Sequence, residues 1–91
     1  MIPLYGFLEG DTLGLLMLTN PDETLGALAR RLEASASTRV APPRPGQSLQ
    51  VRVAGRTLDH DATVGEAGLA ALDRFDVTRA APERERERRQ P

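Results

Sequence analysis

Two apolar runs open the chain and are separated by a short polar turn. The first runs from Ile2 to Glu9 and the second from Leu13 to Thr19, with Gly10-Asp11 between them. Two runs rich in strand-forming residues on either side of a turn pair predict a β-hairpin. The fold therefore begins with two antiparallel strands.

Both faces of this predicted hairpin are apolar, although a sheet with one buried face normally alternates apolar with polar residues. On the second strand Leu16 and Leu18 lie on one side, and on the first strand Tyr5 lies on the side opposite Leu4. Periodicity does not decide which set covers the core, because a slip of one residue exchanges the two faces. The remaining set is covered by loops, by self-association or by a partner, and we favour a partner because exposed apolar clusters mark interfaces.

A helix follows the hairpin. Asn20, Pro21 and Glu23 stand where an N-cap, a first helical residue and a capping-box acid belong, so we expect the helix to begin at Asn20. One apolar stripe at helical spacing then faces the sheet: Leu25, Leu28, Ala29 and Leu32.

The rest of the chain alternates short strands with turns. The proline-rich segment 40–46 predicts an extended connection, and the alternation from Leu49 to Val53 predicts a half-buried strand. Ala54-Gly55 predicts a turn into a short strand, residues 61–69 a single capped turn, and Phe75 with Val77 a closing strand. We therefore expect one domain over residues 1–79, and a charged flexible tail over residues 80–91.

Composition narrows the classes of function. The net charge is −1 and only three residues are aromatic, which argues against a nucleic-acid partner. No apolar run approaches the roughly 20 residues that span a bilayer, so no membrane association is expected. Cysteine is absent, which fits a reducing interior and predicts a cytoplasmic location.

Candidate chemistry is sparse. His60 lies between Asp59 and Asp61, and a general base or metal ligand would need further groups that the sequence does not offer. We interpret His60 as an exposed loop residue and expect the two aspartates to bond to their own backbone. The sequence predicts no catalytic, cofactor-binding or metal-binding residue.

The order of elements resembles the ubiquitin-like β-grasp, an α+β fold with a mixed four- to five-stranded sheet packed on one helix. The segment AGRTLDHDATVGEAGL carries the spacing of that fold. Conjugated members end in Gly-Gly, whereas this sequence ends Arg-Arg-Gln-Pro, so a modifier or sulfur-carrier role is not expected.

A narrower resemblance is to the small B, or gamma, subunit of bacterial multicomponent diiron monooxygenases of the toluene 4-monooxygenase type. It is carried by five short segments: Ile2-Pro3-Leu4, Phe7-Leu8-Glu9, Arg39-Val40-Ala41-Pro42 with Arg44 and Gly46, Leu49-Gln50-Val51-Arg52, and Glu66-Ala67-Gly68-Leu69.

The resemblance implies a non-catalytic subunit of an aromatic-hydrocarbon monooxygenase. It implies that the diiron centre lies in the large hydroxylase subunit, and that this chain holds no cofactor and docks on that subunit. The predicted contact residues are Tyr5, Leu16, Leu18, Arg39 and Arg44. A rival resemblance is to ubiquitin-like accessory proteins of type VII secretion systems, which share a Pro-Pro-Arg-x-Gly connection, here residues 42–46.

Overall fold

One helix packs on one face of a five-stranded sheet in the computed structural model, which describes residues 1–80. The elements in chain order are β1 (Ile2–Leu8), β2 (Gly14–Thr19), α1 (Leu25–Ser35), β3 (Ser48–Val53), β4 (Arg56–Leu58) and β5 (Arg74–Ala80). The spatial order of the strands is β2-β1-β5-β3-β4. The β1–β5 pair is parallel and the other pairs are antiparallel, so the predicted α+β fold with a mixed sheet is confirmed.

The core lies between α1 and the inner face of the sheet, which is the face that α1 covers. The apolar stripe predicted on α1 is fully buried there. The strands contribute every second residue, as the pleat requires: Leu4, Leu8, Met17, Val51, Phe75 and Val77. Between Leu4 and Leu8 on β1 stands Gly6, and a Cβ on Gly6 would lie 2.6 Å from Cζ of Phe75. The Phe75 ring therefore packs directly on the backbone of β1.

The register of the hairpin decides which of its two apolar faces is inside. Leu4 pairs with Met17, and Tyr5 pairs with Leu16. Leu4 and Met17 are buried, whereas Tyr5 and Leu16 are exposed. The set with Leu16 and Leu18 is therefore the outer one.

The predicted start of α1 is wrong by four residues, because the N-cap is Thr24 and not Asn20. The helix begins at Leu25, and the side chain of Thr24 caps it by accepting a hydrogen bond from the N–H of Ala27 at 3.2 Å. Asn20 instead accepts from Glu23 in a turn, with a backbone N–H···O distance of 3.0 Å. Backbone carbonyls of this turn form tertiary hydrogen bonds instead of helical ones. Those of Pro21 and Glu23 accept from the N–H groups of the loop at 64–65.

The segment between α1 and β3 contains no helix or strand, as its prolines predict. Arg79 of β5 holds it in place: its Nη1 donates to the carbonyl of Ala41 at 2.7 Å, and its Nε donates to Glu33 of α1 at 3.2 Å. The connection is therefore tied to both layers of the fold.

The turn at residues 61–69 is capped as predicted. Thr63 and Glu66 exchange hydrogen bonds between side chain and backbone at 3.0 and 3.1 Å, which is the reciprocal arrangement of a capping box. Val64 and Leu69 point into the core, and Gly68 adopts a φ of 72°. None of the helical structure in residues 1–80 is long and apolar enough to cross a membrane. Ala80, the first residue of the predicted tail, is the last residue of β5. Residues 81–91 of that tail lie outside the described residues.

Candidate functional site

The outer face of the sheet, which α1 leaves uncovered, divides into an apolar half and a polar half. The alternation of the strands and their register give its members. On β2 and β1 they are Leu16, Leu18, Pro3, Tyr5 and Phe7; on β5, β3 and β4 they are Arg74, Asp76, Thr78, Gln50, Arg52 and Thr57. The candidate site is the apolar half.

Four residues of this half form what we call the apolar patch: Pro3, Tyr5, Leu16 and Leu18. Tyr5 is 42% exposed, Leu16 54% and Leu18 55%. Tyr5 lies opposite Leu16, and Pro3 lies opposite Leu18. Directly opposed residues on one face of an antiparallel pair lie within contact distance. The structure thus brings together three of the predicted contact residues on two rigid strands.

The hydrogen-bonding pattern brings these opposed side chains closer still. Pro3 has no N–H, and the Leu18 carbonyl accepts from Nη2 of Arg31 on α1 at 2.8 Å, on the side away from β1. The N–H of Tyr5 likewise points away from β2, because it donates to the carbonyl of Asp73 at 2.9 Å. Both pairs are therefore of the non-hydrogen-bonded kind, in which Cα atoms lie about 4.5 Å apart rather than about 5.5 Å.

A further exposed apolar residue, Leu72, lies in the loop before β5. It is 60% exposed and its φ is 69°, a left-handed conformation that a leucine rarely adopts. Its N–H donates to the carbonyl of Pro3 at 2.6 Å, which places it beside the start of β1. No sequence pattern pointed to this residue, because the segment Leu72-Asp73-Arg74 does not predict a left-handed conformation at leucine.

The patch ends at Phe7, whose ring is partly covered by neighbours within the domain. The guanidinium of Arg74 lies over this ring, 4.1 Å from its centroid, at a distance typical of a cation–π contact. Asp76 fixes Arg74 with an Nη2–Oδ1 distance of 2.8 Å and raises its pKa through that hydrogen bond. On the other side, the ring lies so close to Gly14 that a Cβ there would be 2.5 Å from it.

Arg39, one of the two predicted contact arginines, serves the fold itself. Its guanidinium donates to both carboxylate oxygens of Asp11 at 3.0 to 3.2 Å, so it ties the turn that follows α1 to the turn of the hairpin. These bonds and the N–H of Leu13 lower the pKa of Asp11. The same bonds to Asp11 raise the pKa of Arg39. Contact of Arg39 with a partner stays a prediction.

Arg44 lies on the helix side of the sheet, away from the apolar patch. Together with Arg30 of α1 and His60 it lines an open cleft of about 510 Å³. The structure therefore does not bring Arg44 together with Tyr5, Leu16 and Leu18. Its contact with a partner also stays a prediction.

His60 is exposed in the turn that follows β4, between Asp59 and Asp61. Asp59, its neighbour, accepts a hydrogen bond from the N–H of Asp61 at 2.9 Å, as expected for a turn aspartate. Residues 1–80 contain no group of three or more His, Asp or Glu side chains that could hold a metal ion. The described residues therefore do not provide a ligand set for a diiron centre.

Comparison with known families decides between the two resemblances. The family model described as toluene-4-monooxygenase system protein B, TmoB, matches residues 1–78. The chain belongs to this family. It is thus an accessory component of a monooxygenase system, and its Pro-Pro-Arg-x-Gly connection lies within the matched range. No curated protein sequence matches the chain.

Solved structures confirm the fold. A chain of the toluene 4-monooxygenase HD complex with the inhibitor 4-bromobenzoate superimposes with a TM-score of 0.76 at 24% identity, over 85% of this chain and 95% of that one. The ubiquitin of Caldiarchaeum subterraneum gives 0.70 at 19% identity, over 90% and 96%. ATBAG1, in a complex with HSP70, gives 0.68 at 12% identity, over 98% and 45%. At these identities the likenesses show the ubiquitin-like β-grasp fold alone.

Proposed function

We propose that this protein is the non-catalytic small subunit of a bacterial multicomponent diiron monooxygenase that acts on aromatic hydrocarbons, and that it docks on the large hydroxylase subunit through the apolar patch. The observation that carries the proposal is the exposed patch on the outer face of a domain that belongs to the TmoB family. A cytoplasmic location goes with it, since the chain has no cysteine.

The composition of the patch suits a protein partner. Leucine and tyrosine side chains that are already held by strands lose little conformational entropy on binding. Burying the exposed half of Leu16 or Leu18 would contribute about 1 kcal/mol each, taking about 2 kcal/mol for a whole leucine side chain. Tyr5 adds an aromatic ring with a hydroxyl, the kind of residue that is enriched at the energetic centre of interfaces.

The chemistry of the proposed complex belongs to the partner. Ligands for two iron ions need several carboxylates and histidines in one place, and the described residues offer no such group. We therefore assign the diiron centre and the choice of hydrocarbon to the large subunit. The role of this chain is to bind that subunit.

The structure of the toluene 4-monooxygenase HD complex contains a chain of this fold, which supports a hydroxylase as the partner here. Family membership is the stronger support, because it covers residues 1–78 of this chain.

The test is co-expression with the large hydroxylase subunit from the same organism, followed by affinity purification on that subunit. Leu16→Asp and Leu18→Asp place a charge in the patch, and we expect each to abolish co-purification, because an unpaired charge would be buried. Leu13→Asp is the matched control: Leu13 is 51% exposed but lies in the hairpin turn, outside the patch.

Circular dichroism of the isolated variants separates loss of docking from loss of folding. The proposal is supported if all three variants give native spectra and only Leu13→Asp still co-purifies with the large subunit. Co-purification of both patch variants at the wild-type level would show that the apolar patch is not the docking surface.

A further inference from the structure

The sheet has a free edge at β2, next to the apolar patch. β2 is the outermost strand and pairs only with β1 in the described residues. Its sequence, GLLMLT, contains no charge and no proline. Natural sheets usually blunt such an edge with lysine, proline or a bulge, because unpaired backbone groups attract further strands.

The register identifies the backbone groups that this edge presents. Leu18 and Leu16 belong to the non-hydrogen-bonded pairs with β1, and Gly14 follows at the same spacing of two. The N–H and C=O groups of these three residues therefore point away from β1. Leu16 and Gly14 are exposed, so their backbone groups are accessible to another chain.

Arg31 closes one end of this edge. Its Nη2 donates to the Leu18 carbonyl at 2.8 Å, and the Glu23 carboxylate holds the guanidinium by two bonds of 2.8 Å. Because Arg31 belongs to α1, its side chain also lies across the gap between helix and strand. The open part of the edge is therefore short and runs from Gly14 to the N–H of Leu18.

We propose that β2 accepts a short extended segment of the large hydroxylase subunit as a sixth strand, paired with Gly14 and Leu16, and that Arg31 sets where this pairing stops. The identity of the partner rests on the proposed function. Alternate side chains of the added strand would lie beside Leu16 and Leu18 on the outer face. Strand addition and coverage of the apolar patch are then parts of one contact.

A second copy of this chain fits the edge less well. In a twofold pair centred on Leu16, Gly14 of one copy would need the Leu18 carbonyl of the other, which Arg31 occupies. In any twofold β2–β2 pairing, the two outer faces would lie side by side on the same face of one continuous sheet. Neither apolar patch would cover the other, so both would stay exposed. A hydroxylase segment with its surrounding surface covers edge and patch together.

The first test measures affinity for the purified large subunit with two substitutions at one position. Leu16→Ala shortens the side chain and keeps the backbone donor, whereas Leu16→Pro also removes the outward N–H and leaves the bonds between β1 and β2 intact. We expect Leu16→Pro to bind at least about tenfold more weakly than Leu16→Ala, since a hydrogen bond would be lost and a partner carbonyl left unpaired. Equal affinities of the two variants would overturn strand addition.

The second test needs no variant, and so it stands even if Leu16→Pro fails to fold. Amide hydrogen exchange of the wild-type chain is compared free and in the complex. We expect the N–H groups of Gly14 and Leu16 to exchange rapidly in the free chain and at least about tenfold more slowly in the complex. Unchanged exchange at both residues would overturn the proposal.

Two further outcomes separate this proposal from its alternatives. If Leu18→Asp abolishes binding while Leu16→Pro and Leu16→Ala bind equally, strand addition is wrong and the proposed function stands. If Leu18→Asp also binds normally, both fail. A dimer of the isolated chain that Leu16→Pro converts to a monomer would assign the edge to a second copy and overturn the proposal.

Discussion

Gly6→Ala tests how closely the core is packed against the centre of the sheet. Gly6 lies on β1, where it pairs with Leu15 of β2 and with Phe75 of β5. A Cβ at this position would stand 2.6 Å from Cζ of Phe75, and 3.1 Å from both Cε1 of Phe75 and Cδ2 of Leu32. Nonbonded carbon atoms prefer separations of about 3.5–4.0 Å, so the ring must move by roughly 0.9 Å or more.

The ring has nowhere to move, because Phe75 is fully buried and its neighbours are equally covered. Inserting one methyl group into a closed core typically costs about 1–3 kcal/mol. Each kcal/mol lowers the melting temperature of a domain of this size by about 4–8 °C, so we expect a fall of roughly 5–20 °C. Thermal unfolding followed by circular dichroism measures the shift, and urea unfolding with an unchanged slope would attribute it to the folded state.

A second substitution tests the physical reason. Phe75→Leu removes the atoms that the new Cβ would strike, so it should destabilise the Gly6→Ala chain less than it destabilises the wild type. We expect a coupling free energy of at least about 0.5 kcal/mol in that direction, as for residues in direct contact. Additive effects of the two substitutions, or a Gly6→Ala chain as stable as the wild type, would refute the close contact between ring and backbone.

Two further predictions concern a turn and an ion pair. Ala54 and Gly55 both have positive φ, 51° and 81°, so Ala54→Asn should stabilise the domain by about 0.5 kcal/mol and Gly55→Ala should destabilise it by about 1 kcal/mol. Urea unfolding of the two variants should therefore shift the midpoint in opposite directions. A midpoint shift of the same sign in both variants would contradict the reasoning. Arg39 lowers the pKa of Asp11 in the folded chain, so the pair stabilises the fold above the unfolded pKa of Asp11, and this contribution is lost as the pH falls through the folded pKa. Arg39→Ala should therefore raise the Asp11 pKa, measured by NMR titration, and make stability fall less steeply in acid.

The fold was predictable where one signal repeats along the chain. The stripe on α1 and the alternation on β3 follow from periodicity, and both lie where the sequence indicated. The start of α1 was not predictable in the same way, because Asn20 and Thr24 are both acceptable caps. The choice of Thr24 depends on a tertiary contact: the carbonyls of Pro21 and Glu23 bond to the loop at 64–65.

The candidate site was predictable only in part. The pattern of the hairpin predicted that one of its two apolar faces would not pack in the core. The structure shows that this face carries Leu16 and Leu18. Leu72 was not predictable, since a left-handed φ at leucine is imposed by its surroundings, here by the bond from its N–H to Pro3. The pairing of Arg39 with Asp11 depends on how close the fold brings the turn after α1 to the hairpin turn. No local sequence pattern encodes that distance.

The division of the outer face is the reason why we expect substitutions in the apolar patch to change the proposed docking without unfolding the domain. A single helix covers only one side of the sheet, so the leucines of the apolar patch contribute little to the stability of the free domain. On the polar half, Arg74 and Asp76 form an ion pair with an Nη2–Oδ1 distance of 2.8 Å. The outward side chains of that half are polar, so they do not have to be buried. The apolar patch has no comparable arrangement within the described residues. Its side chains gain their full hydrophobic stabilisation only against another surface, so the docking proposed for them would use apolar area that the folded domain leaves exposed.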